Sequence, residues 1–173
     1  MKIINYITRE KLICFFLIVA ILATIIFIFS NSLKNKAESS VESSNVASTV
    51  KPVIDPSNKI PFQTFEYFVR KYAHFLEFML LGAELFALLF TLSKSNLKNI
   101  KLTGYLSILL ISTLTALGDE TLQIATNRGA ALTDVWIDIA GSFTGTVLCF
   151  LFLIFVLFLT KRIQSKKVMS DGD

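Results

Sequence analysis

Residues 12–30, LICFFLIVAILATIIFIFS, carry no charged side chain. A bilayer core is crossed by a helix of ~20 mostly apolar residues, and this run has that length. Three more such runs follow, at about 72–92, about 102–118 and about 135–160; the third is short and the fourth long enough to tilt. The expected fold is therefore all-α: an integral membrane four-helix bundle with an extracytoplasmic segment between its first two helices. Composition agrees, since 53% of the chain is hydrophobic and 17% charged, whereas soluble domains sit nearer ~25% charged. A length of 173 residues leaves room for one compact bundle and no separate catalytic domain of ordinary size.

The basic residues indicate an orientation. Lys2, Arg9 and Lys11 precede the first span, Lys94, Lys98 and Lys101 fill SKSNLKNIK between the second and third, and Lys161, Arg162, Lys166 and Lys167 follow the fourth. In a four-pass chain these flanks share one side, and positive flanks stay in the cytoplasm. Both termini are thus expected inside, with residues 161–173 a cytoplasmic basic tail. The net charge of +4 is read as this topology signal and not as a nucleic-acid surface. The first run exceeds the ~7–15 apolar residues of a signal peptide and no A-x-A site follows, so it is expected to be an uncleaved anchor. Cys14 and Cys149 lie far apart inside apolar runs and read as packing residues, with no Cys/His cluster for zinc.

The outer segment, residues 31–69, is rich in Ser, Asn and Lys. AESSVESSNVASTV reads as a modest surface helix with a ragged apolar face at Val41, Val46 and Val50. KPVIDPSNKIP reads as a break, because proline ends helices and biases its predecessor to extended backbone. FQTFEYFVRKYAHF restarts a helix, placing Phe62, Phe65, Tyr67, Phe68 and Tyr72 at the interface that aromatic rings favour.

Charge inside apolar sequence is the second constraint. An ionised side chain facing lipid at mid-bilayer costs ~2.5–3.5 kcal/mol on insertion scales, so such residues face inward and mark functional candidates. Arg70, His74 and Glu77 are spaced by four and three and share one helical stripe, which Glu84 continues two turns on. Asp119, Glu120 and Gln123 cluster at the far end of the third helix, with Gln123 on a face with either acid. TNRG then turns, Gly129 being suited to positive φ. Thr133 reads as the N-cap of the fourth helix, with Asp134 in its first turn and Asp138 one turn on. Gly141 and Gly145, the ends of GSFTG, are read as a close helix-packing stripe. Topology puts all of these acids and bases except Glu84 toward one leaflet, where Arg70 and Arg128 are expected to pair with carboxylates.

RKYAHFLEF, then DETLQ, then NRGAALTDVWIDIAGSFTG resemble the VanZ-like membrane protein family over about residues 12–155. Arg70, Lys71, His74, Phe75 and Glu77 match that family's first motif, Asp119, Glu120 and Gln123 its second, and Arg128, Asp134, Asp138 and Gly141 its third. FSNSLKNKAESS looks like its serine-rich start of the outer segment. Phe78 stands where Tyr is common, and Asn127 replaces the usual Gly before Arg128. The resemblance implies four membrane helices and a connection with low-level resistance to the glycopeptide teicoplanin.

The residues themselves suggest a chemistry. His74, Glu77, Asp119, Glu120, Asp134 and Asp138 form a candidate acid/base cluster, with His74 as general base oriented by Glu77 or Asp119. Arg70, Lys71, Gln123 and Arg128 are candidate substrate-binding residues, the two arginines suited to a phosphate or carboxylate. Asp134 or Asp138 can act as an acid or bind a hard cation, but no metal ligand set and no cofactor is assigned. No nucleophile elbow, P-loop or H-E-x-x-H motif is present, so catalysis is left undecided. The leading reading is an outer-leaflet polar site for a membrane lipid or lipid-linked wall component. Two alternatives stand beside it. One is a non-enzymatic assembly or antibiotic-sequestering module, favoured by GSFTG and the aromatic outer segment, with an oligomer left open. The other is a small transporter or proton pathway through Glu84.

Overall fold

The computed structural model describes residues 2–129 and 131–170, with side chains described for 9–129 and 131–165. The described chain is all helical: α1 (Lys2–Ser32), α2 (Lys36–Ile54), α3 (Phe62–Leu92), α4 (Leu102–Ala125) and α5 (Leu132–Ser170), plus one 3-10 turn at Leu97–Asn99. The helices α1, α3, α4 and α5 are each long and apolar enough to cross a bilayer, and the protein is a membrane protein. Their apolar side chains point outward as well as inward: Phe15, Ile26, Phe152 and Phe158 are exposed. The last three residues of the basic tail lie outside the described residues.

At 1.5 Å per residue the 31 residues of α3 span about 46 Å, against a hydrocarbon core of ~30 Å. The helix therefore projects beyond the core, and its starting turns form the platform on which α2 packs. Lipid tails are as apolar as leucine, so hydrophobicity does not drive spanning helices together; close backbone approach and polar contacts do. Both are visible between α3 and α5. A Cβ at Gly82 would overlap Ser142 O, one at Gly141 would overlap Phe75 O, and one at Gly145 would overlap Met79 O. Thr146 Oγ1 donates to Gly82 O at 3.2 Å, while Ser112 and Ser142 hydroxyls pair at 2.6 Å between α4 and α5. Around these contacts Ile28, Phe78, Leu81, Phe86 and Ala116 are completely buried.

In α2 the structure reverses the expected face. Val41 and Val46 are exposed, and the buried residues are Ser39, Ser43, Ala47 and Lys51, at four-residue spacing. Small hydroxyls explain this. Ser40 and Ser43 donate to Glu66 of α3 at 2.9 and 2.8 Å, a contact that valine cannot make. A capping box starts the helix: Asn35 Oδ1 accepts from Glu38 N, and Glu38 Oε2 accepts from Asn35 N. The helix also runs through Pro52 to Ile54, further than the expected break. Phe65 departs from the interfacial aromatic group: it is buried, with Lys51 Nζ 5.8 Å from its ring centre. Phe62, Tyr67, Phe68 and Tyr72 are exposed.

Lys51 ends α2 with a 2.7 Å ion pair to Asp55, whose carboxylate also accepts from Lys59 N and Ile60 N at 2.9 Å each. The Lys51 hydrogen bond, and then the two backbone donors, pull the Asp55 carboxyl down from 3.8 to about 2. A depressed carboxyl stabilises the folded connection fully above its ordinary value, and that contribution disappears as pH falls through about 2. Amide-exchange protection of residues 55–60 is therefore expected to hold from neutrality to about pH 4 and to fall between about 4 and 2. Asp55→Asn is expected to lower protection at neutral pH and to flatten this profile.

Candidate functional site

The alternating course of the spans brings four helix ends to one pole: the end of α1, the early turns of α3, the end of α4 and the start of α5. The α4 helix continues to Ala125, past the expected limit near 118, so Asp119, Glu120 and Gln123 are helical. Gln123 Nε2 donates to Asp119 Oδ2 at 2.7 Å and to Glu120 Oε1 at 3.1 Å, using both the four-residue and the three-residue spacing. Asp119 is fully buried and accepts a second hydrogen bond from Ser32 Oγ at the end of α1. Glu120 Oε2 accepts from Ala131 N, tying the α4–α5 connection back onto α4.

On α3, Glu77 Oε1 accepts from Asn31 Nδ2 at 2.7 Å. His74 lies between two carboxylates, with Nδ1 3.7 Å from Glu77 Oε2 and 3.8 Å from Asp119 Oδ2. Both separations exceed hydrogen-bond length, and His74 Nδ1 and Glu77 Oε2 are buried without partners. Catalytic contacts are often long until substrate binds, so this geometry is compatible with a base awaiting a ligand. Lys71 forms an ion pair with Asp134. Asp138 and Asp119 are buried, and ligand oxygens of Asp119, Glu120 and Asp138 lie within 4.8 Å of one another. Carboxylates this close need protons, hydrogen-bond donors or a cation among them, and an oxygen-only set suits Mg²⁺ or Ca²⁺. The sequence reading assigned no such set.

The arginines differ from expectation. Among the described residues neither Arg70 nor Arg128 forms an ion pair with a carboxylate. Arg128 Nη1 instead donates to Asn31 O at 2.8 Å. Burial, and then the like charge of Arg70, pull the Arg128 guanidinium below its ordinary value. Thr133 also departs: α5 begins at Leu132, so Thr133 lies inside the helix and is not its N-cap.

Sequence reasoning passed over Asn31, Ser32 and Thr24. Asn31 and Ser32 stand in FSNS, directly after an apolar run, where two side-chain amide or hydroxyl groups already mark a polar helix end. Thr24 Oγ1 donates to Glu84 Oε1 at 3.1 Å and supplies the partner that the α3 stripe lacked. A lone threonine inside an apolar run gives no comparable signal. The glycines of GSFTG pack closely against α3, the second of the four spans.

A family model described as VanZ/LLP1 matches residues 15–156, most of the chain. The chain belongs to the VanZ/LLP1 family. No curated protein and no solved structure gives a significant match. The VanZ/LLP1 match spans every residue of the pole. Where Asn127 replaces the glycine that the resemblance leads one to expect, its φ is +56°, and Gly129 has φ +77°. Asparagine is among the few side chains that enter this region readily, so Asn127 fits this backbone conformation.

Proposed function

We propose that this VanZ/LLP1 protein presents its polar pole on the extracytoplasmic side, binds or modifies an anionic envelope component there, and lowers susceptibility to teicoplanin as a consequence. The observation that carries this reading is the convergence of His74, Glu77 and Asp119 beside two arginines without carboxylate partners. Supporting the orientation, Arg9, Lys11, Lys94, Lys98, Lys101, Lys161 and Arg162 lie in flanks at the other end of the spans. Orientation by positive flanks then turns the acid-rich pole outward.

His74 is the residue to test, because its ring nitrogen Nδ1 has no partner to lose. In cells expressing wild type and His74→Ala at matched membrane levels, the variant is expected to lose the reduction in teicoplanin susceptibility. Mass spectrometry of lipids and wall precursors reads the chemistry in the same cells. A molecular species present with wild type and absent with His74→Ala supports modification; unchanged composition with loss of protection supports binding. Full protection by both His74→Ala and Asp119→Ala would sink the polar-site reading.

A further inference from the structure

A groove of about 1030 Å³ opens at the polar pole, lined mainly by α2 and α3 with Phe27 and Asn31 of α1, Arg128, and Ile137 of α5. Its lining is mostly apolar and includes Val46, Val50 and Ile54 from α2 and Phe65, Phe68 and Val69 from α3. At the pole the lining changes to Arg70, Arg128, His74 and Glu77. We propose that this groove holds one anionic diacyl phospholipid, with its phosphate between Arg70 and Arg128 and its acyl chains against α2 and α3. The inference rests on the polar pole being a binding site and names the class of molecule bound there.

Charge complementarity selects the occupant. Among the other charged groups of this wall, Lys34 pairs with Glu42 at 2.7 Å and Lys71 with Asp134, while Glu77 accepts from Asn31 through Oε1 alone. Arg70 and Arg128 remain, both lining the groove and neither forming an ion pair among the described residues. Among the described residues Arg128 donates to one backbone carbonyl and Arg70 to none. A guanidinium fork matches phosphate oxygens in pairs, and one phosphate between two forks removes their mutual repulsion. A free anion would leave the apolar walls wet, whereas a lipid fills both parts of the groove. A zwitterionic headgroup would bring its own cation toward the arginines. Val46 and Tyr72 of this lining are exposed, so the groove is open along that flank.

The test uses the full chain in mild detergent, stripped of lipid and examined by native mass spectrometry after addition of phosphatidylglycerol, phosphatidylcholine, a polyprenyl phosphate or inorganic phosphate. A single phosphatidylglycerol adduct is expected at concentrations where phosphatidylcholine gives none. Arg70→Gln with Arg128→Gln is expected to weaken it by about tenfold or more. Val50→Trp, which fills the apolar wall and leaves the charges in place, is expected to weaken it comparably. Equal binding of phosphatidylcholine, tighter binding of the polyprenyl phosphate, displacement of the lipid by inorganic phosphate, or adducts indifferent to the substitutions would each overturn the inference. Should the double arginine variant fail to fold, Val50→Trp and the comparison of headgroups decide it. The two proposals also fail separately. Absence of the adduct while His74→Ala still abolishes protection removes the lipid and keeps the function. A specific adduct with full protection retained in both His74→Ala and Asp119→Ala does the reverse.

Discussion

Gly145→Leu is expected to separate α3 from α5 and unfold the bundle. Even the first carbon of the new side chain would occupy the space of Met79 O, which is backbone and cannot rotate away. Overpacking in an ordinary core costs ~1–3 kcal/mol because neighbouring side chains move aside. Here the helices themselves must part, losing the Thr146–Gly82 hydrogen bond and the contacts at Gly82 and Gly141 with it. A loss of at least ~3 kcal/mol is expected, seen as a lowered unfolding temperature in detergent and little protein in the membrane. Gly118→Ala is the comparison. Its added carbon would meet the ring of Phe29 at 3.1 Å, a side chain free to shift, and a cost below ~1 kcal/mol is expected. A stable Gly145→Leu protein would mean that α3 and α5 do not pack through their glycines.

Asp119→Ala is expected to damage stability more than His74→Ala does, and both to damage the proposed function. Asp119 is fully buried and joins α1 to α4 by accepting from Ser32 and Gln123. Removing it strands two buried donors, each worth ~1–3 kcal/mol when left without a partner. A combined destabilisation of ~2–4 kcal/mol follows, allowing for Gln123 keeping its contact with Glu120. Asp119→Asn keeps one acceptor and is expected to recover part of the stability. His74 Nδ1 makes no hydrogen bond, so His74→Ala loses the packing of a mostly buried ring but strands no donor, and it is expected to cost less stability than Asp119→Ala while losing the proposed protection. Thermal unfolding in detergent beside susceptibility measurements separates the two. Equal destabilisation by both substitutions would show that His74 acts as a packing residue.

Sequence alone determines the features that repeat along a single segment. Apolar runs of spanning length give α1, α3, α4 and α5, because in lipid the backbone must satisfy itself within the helix. Spacings of three and four put Arg70, His74 and Glu77 on one stripe of α3, and Asp119 and Glu120 within reach of Gln123. Gly141 and Gly145 announce a close approach to some helix. Tertiary structure decides which groups from different segments meet. It assigns those glycines to α3, gives Asn31 to Glu77, Ser32 to Asp119 and Thr24 to Glu84, and withholds carboxylates from Arg70 and Arg128. It turns the serines of α2 inward and its valines outward, because Glu66 offers an acceptor that a helix read in isolation does not contain. Periodicity is a property of one helix and can be counted from residue types. A hydrogen bond between helices depends on the rotation and depth of both, and those are set by backbone contacts many residues away.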